Sequence, residues 1–226
     1  MADKKAIKGV IYLIAVTSIL LVILIAGNNT LLPLLAVYIG MLIVSAFIIN
    51  SKDFKDNVIG LRRDNLGKSI VYALVIAVGF YIIAKATGLT IGLPSLQAST
   101  VGTQIRFLII LIGAPLVETI FFQISAFAVL LTLVRKRMLS IILTSTLFSF
   151  AHVSAYVSSF YSYPNFVSGL SQIGQNAGSF LAAFLFSFVA LIVLVQPKIR
   201  NQWFTITLHF LLNLIITILL SLIIIS

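Results

Sequence analysis

Seven apolar runs of roughly twenty residues, separated by short loops that collect the basic residues, decide what this chain can fold into. A run of that length matches the hydrocarbon thickness of a bilayer when it is helical, and inside lipid only a helix or a closed barrel satisfies the backbone. The runs lie at about 9–27, 32–50, 69–87, 107–134, 139–159, 179–196 and 203–225. The expected fold is therefore an all-α, polytopic integral membrane helical bundle of about seven transmembrane helices. It forms a single transmembrane domain over 1–226. Composition agrees: 61% of residues are hydrophobic, 9% are charged, and the mean hydropathy is +1.19. A soluble domain of this length does not reach such values.

The charges fix an orientation. Lys4, Lys5 and Lys8 precede the first run, and Lys52, Lys55, Arg62, Arg63 and Lys68 fill the second loop. Arg135, Lys136 and Arg137 separate runs four and five, and Lys198 and Arg200 separate six and seven. Thirteen of the fifteen basic residues thus fall on one side, leaving Lys85 and Arg106 on the other. By the positive-inside rule the chain is a multi-pass protein of the cell membrane, with its N-terminus cytoplasmic and its C-terminus on the opposite side. A formal net charge of +10 in so dispersed a form suits anionic lipid headgroups and argues against nucleic acid as a partner. Membrane lipids are the expected surroundings. The run from about Gly9 to Ala26 is long for a secretory signal, and Ile25-Ala26-Gly27-Asn28-Asn29 is a poor cleavage site, so it is read as an uncleaved first helix. Asn28-Asn29-Thr30 matches a glycosylation sequon, a pattern too short to weigh much.

Two loops stand apart. Asp53 to Lys68 is charged at both ends and apolar in the middle, which suits a short interfacial amphipathic helix as well as a solvated loop. Phe160 to Gly178 is uncharged and rich in Ser, Tyr, Gly, Gln and Asn, and reads as an exterior loop.

Against this apolar background, three ionisable side chains lie well inside the runs: Glu118, His152 and His209. Glu118 is the only glutamate in the chain. A carboxylate in a bilayer costs at least ~2.5 kcal/mol and by default marks a functional site. Counted at about 1.5 Å per residue from the nearest cytoplasmic basic residue, Glu118 lies about 25 Å deep, His152 about 22 Å and His209 about 13 Å. Asn213, one turn beyond His209 on the same face, comes to about 20 Å. Four polar groups from three helices can therefore meet. Phe148 precedes His152 by one turn, which sets an aromatic ring beside the imidazole. Gly113 and Pro115 loosen the helix before Glu118, and a run of that length is expected to bend or break near Pro115.

A carboxylate with two imidazoles can deprotonate a water and return the proton to a leaving group, while an imidazolium or an Asn amide can bind an oxyanion. The same set, Glu118, His152 and His209, could hold a metal such as Zn with a position left open for water. A glutamate mechanism requires no cofactor, and the residues alone leave both schemes open. The absence of cysteine excludes disulfides, thiolate ligands and a cysteine nucleophile. A proton relay in a transporter is a further use for one Glu and two His, but the chain carries no internal repeat to support it.

Three motifs in order, Glu118 after Ala-Pro, Phe148-Ser-Phe-Ala-His152 and His209-Phe-Leu-Leu-Asn213, resemble those of the CPBP intramembrane proteases. That family includes CAAX prenyl proteases and bacteriocin-processing or bacteriocin-immunity proteins, and its pattern is EExxxR, FxxxH, then HxxxN or a similar residue. The motif-bearing core spans about 107–225. The resemblance implies an intramembrane endopeptidase that cleaves a membrane-proximal or membrane-anchored peptide. Glu118 would activate water with His152, and His209 and Asn213 would bind the oxyanion or position the water. The first motif departs from the pattern: the second glutamate is Thr119 and the arginine is Gln123. Both positions change together, which avoids stranding one buried charge and leaves a neutral pair that can still hydrogen-bond at i,i+4. The same departure suits a catalytically inactive relative acting as a membrane scaffold or bacteriocin-immunity protein.

Overall fold

The computed structural model describes residues 7–9, 11–12, 14–15, 18, 31–60, 66–87, 109–160, 177–196, 199 and 201–225. Among these residues there is no strand. Helix α1 spans Leu31–Asn50, α2 Leu66–Thr87, α4 Arg137–Phe160, α5 Ala177–Leu194 and α6 Gln202–Ile225. Helix α3 is continuous through four segments, Ile109–Gly113, Ala114–Glu118, Thr119–Ala126 and Phe127–Val134. The described residues between Ile7 and Ser18 are also helical, as the first run requires. Each complete helix begins and ends within three residues of the apolar run that announced it. The sequon at Asn28, the stretch 61–65 and most of the loop from Phe160 to Gly178 lie outside the described residues. From Leu111 to Val134, α3 is long and apolar enough to cross a bilayer, and shorter apolar helical stretches run over Leu35–Asn50, Leu66–Ile82, Phe180–Leu194 and Gln202–Ile215.

The chain divides into two compact units. Unit 1 holds residues 1–58 and 120–189, and unit 2 holds 59–119 and 190–226. Helix α3 passes from unit 2 into unit 1 after Thr119.

In unit 2, α2 packs along α6, and the first half of α3 packs on α6 as well. The packed face of α2 is a stripe of small buried residues one turn apart, Ser69, Ala73 and Ala77. Small side chains let helix backbones approach closely where the surroundings are as apolar as the core. Helix α6 answers with Phe204, Thr205, Leu208, His209 and Leu212, all buried. The rest of α2 exposes Val71, Val75, Val78 and Ile82. A helix apolar on every face belongs in lipid.

Unit 1 is built on the second half of α3, in which every residue from Phe121 to Leu130 is buried. Helix α4 packs against it after a connection of two residues, Arg135 and Lys136. Arg135 closes α3 in the left-handed region, at φ 57°, with its N–H donating to the Leu131 carbonyl at 3.0 Å. On α4 the hydroxyls of Ser140, Thr144 and Ser149 each donate to the carbonyl four residues back, which settles these polar groups without a partner helix. The N-terminal segment lies close to α3. A Cβ on Gly9 would stand 2.7 Å from a Leu133 methyl, so only glycine fits without displacement. Tyr12 donates from its hydroxyl to the Phe121 carbonyl at 3.3 Å.

The loop after α1 is described over 51–60. Residues 51–60 contain a single short turn, Lys55–Asn57, and no longer helix. Phe54 is fully buried, Asn57 donates to Thr132 Oγ1 at 2.8 Å, and Lys8 pairs with Asp53. These ties hold the described part of the loop on the protein.

Candidate active site

Glu118 ends the short α segment Ala114–Glu118, with π-helical turns before it (Ile109–Gly113) and after it (Thr119–Ala126). The bend or break expected near Pro115 falls where the helix changes its hydrogen-bond register. Proline has no N–H for the carbonyl four residues back, and its ring crowds that carbonyl. A wider preceding turn accommodates both effects and keeps the helix continuous. Such π-turns inside helices concentrate at functional sites. Within the second π segment, the Ser125 hydroxyl donates to the Ile120 carbonyl at 2.9 Å, five residues back rather than four.

In unit 2 the carboxylate meets an imidazole. Glu118 Oε2 stands 3.9 Å from His209 Nε2, with side-chain exposures of 15% and 7%. The separation is an ion-pair distance, longer than a direct hydrogen bond. A water or a cation of suitable size can bridge such a gap. His209 is held there by α6, whose buried face packs on α2 and on the first half of α3. Asn213 follows one helical turn later, half-buried, on the same face as the sequence requires.

In unit 1, His152 is oriented by its own helix. Its Nδ1 lies 2.9 Å from the Phe148 carbonyl oxygen. A carbonyl only accepts, so Nδ1 carries the proton and donates it, and in the neutral ring Nε2 keeps the lone pair. This is the arrangement by which backbone carbonyls set the tautomer of catalytic and metal-binding histidines. The ring of Phe148 lies 4.4 Å from the imidazole, centroid to centroid, as the spacing of four predicted. Phe148 is in turn wedged between Phe122 and Phe186, each at 5.5 Å. A further edge-to-face contact links Phe122 to Phe121 at 4.9 Å, and Phe121 reaches Tyr12 at 6.3 Å. Pairs of this kind add about 0.5–1.5 kcal/mol each beyond area burial, so His152 ends a stiff aromatic string. Phe122 and Phe186 are the supporting residues that sequence reasoning missed, because one phenylalanine among seventeen carries no mark of its neighbours.

Thr119 and Gln123 are fully buried. Thr119 Oγ1 has no hydrogen-bond partner. Both residues fall in the π segment Thr119–Ala126, where residues four apart no longer sit directly above one another.

Residues 100–215 match the family model of the type II CAAX prenyl endopeptidases, Rce1-like, a stretch that contains Glu118, His152, His209 and Asn213. No curated protein and no solved structure matches the chain. The match covers just over half the chain and takes in all three motifs, and with it the chain belongs to the Rce1-like family of type II CAAX prenyl endopeptidases, which are membrane-integral proteases.

Proposed function

We propose that the protein is an intramembrane endopeptidase that hydrolyses a peptide bond in a membrane-proximal or membrane-anchored peptide, with Glu118, His152, His209 and Asn213 as its catalytic residues. The observation that carries this reading is the Glu118–His209 pair, a nearly buried carboxylate and imidazole set 3.9 Å apart within the family-matched residues. The family-matched stretch holds His152 as well, which supports adding it. The second half of α3 and α4 run antiparallel from their two-residue connection and touch through Phe122 and Phe148. Glu118 lies one turn before Phe122, and His152 one turn after Phe148.

On this reading Glu118 takes a proton from the attacking water, and His152 Nε2, with its lone pair available, helps to orient that water. Attack on the scissile carbonyl forms an oxyanion, which His209 and Asn213 stabilise. The proton held by Glu118 then passes to the leaving amine. Glu118, His152 and His209 are also the set that would hold a zinc ion, which would supply Lewis acidity and an activated water. The residues fit either scheme: the Phe148 carbonyl fixes the His152 tautomer that each of them needs. Substrate class follows the family only as far as a peptide presented at the membrane.

Glu118→Gln and His152→Ala are each expected to abolish cleavage of membrane-anchored peptides by the purified protein while thermal unfolding stays close to that of the parent. Cleavage retained in either folded variant overturns the assignment. A second reading, an inactive family member serving as a scaffold or immunity protein, is favoured by one observation: neutral Thr119 and Gln123 stand where the family pattern has a glutamate and an arginine, and Thr119 Oγ1 is buried without a hydrogen bond. It predicts that the parent cleaves nothing and that both variants keep the protein's cellular effect.

A further inference from the structure

The left-handed residue between α3 and α4 is an arginine. Among the described residues it is the only one other than glycine with a positive φ, and glycine is the side chain that this conformation favours. A left-handed conformation costs an ordinary residue about 1–2 kcal/mol, so a side chain kept there invites a reason beyond the turn itself. Its surroundings supply one. Arg135, Lys136 and Arg137 are consecutive and exposed, and none is in an ion pair among the described residues. The acids near this end of unit 1 are Asp53 and Asp56; Asp53 is bound to Lys8, and Lys52 and Lys55 add further positive charge. Directly after the basic triplet the surface becomes apolar. Met138 is 55% exposed, Leu139 41% and Ile142 39%, and these positions share one side of α4.

We infer that this corner is a binding seat for one anionic phospholipid, its phosphate held by Arg135, Lys136 and Arg137 and an acyl chain lying along Met138, Leu139 and Ile142. Charge complementarity selects the headgroup: basic clusters beside a membrane span attract anionic lipids, and guanidinium groups pair with phosphate oxygens bidentately. The apolar strip distinguishes a lipid from a free anion, since phosphate alone gains nothing from it. The inference is independent of the protease reading, because none of these residues lies in the proposed active site.

The test uses the full-length protein in phosphatidylcholine nanodiscs, with and without one fifth phosphatidylglycerol. The expected result is a rise of about 5 °C in unfolding midpoint with phosphatidylglycerol. In the triple variant Arg135→Gln, Lys136→Gln, Arg137→Gln that rise falls to about 1 °C or less. A control triple with the same loss of charge, Lys52→Gln, Lys55→Gln, Lys68→Gln, keeps it. Equal loss in both triples shows diffuse surface charge and overturns the seat. So does an equal rise with inorganic phosphate in phosphatidylcholine alone, and so does no rise at all in the parent. If the triple variant fails to fold in phosphatidylcholine, Arg137→Gln alone is expected to halve the rise, and an unchanged rise there overturns the inference as well.

Discussion

A glutamate and a histidine buried in an apolar interior cannot be neutral additions to stability. Each loses its hydration, and the 3.9 Å between Glu118 Oε2 and His209 Nε2 returns only part of that cost. The pair is therefore best understood by what it can bind or stabilise during a reaction. If His209 stabilises the oxyanion, His209→Gln should lower kcat about 10²–10³-fold with a much smaller change in KM, as loss of one oxyanion donor does. Single-turnover cleavage assays check this, and a variant changed mainly in KM would place His209 in substrate binding instead. His152 shows a different economy. Its proton on Nδ1 is committed to the Phe148 carbonyl, so the ring reaches the site with one defined nitrogen and one defined chemical character.

Each helix adds a constraint of its own. The stripe of Ser69, Ala73 and Ala77 is what allows α2 to approach α6, and α6 carries His209 and Asn213. Ala73→Leu should cost about 1–3 kcal/mol by overpacking, read as a lower unfolding midpoint, and should reduce cleavage without touching the site. Full activity with a lowered midpoint would separate the packing of α2 from catalysis. The helices were legible in the sequence because a span must be apolar for its whole length, and that signal survives any local detail. Glu118, His152 and His209 were legible for the converse reason, as ionisable groups where lipid tolerates few. The π segments around Ala114–Glu118 were not. They exchange one hydrogen-bond register for another and leave no trace in composition beyond the proline that provokes them. The burial of Phe54 and Ile59 was likewise invisible in a loop read from its charges.

For the molecule as a whole, the distribution of basic residues leads us to propose a cytoplasmic N-terminus and a C-terminus across the membrane. Because the chain has no cysteine, single reporters can be read without background. In intact cells, Ser226→Cys should react with a membrane-impermeant maleimide and Lys4→Cys should react only after permeabilisation. The reverse pattern would invert the topology. The two-residue connection Arg135-Lys136 bears on how such a chain is made. A link that short leaves no slack for α3 to settle in a bilayer before α4 joins it, so on the proposed topology the two insert as one hairpin, with the basic link on the cytoplasmic side. The aromatic contact between Phe122 and Phe148 is then made during synthesis, before α6 has been translated.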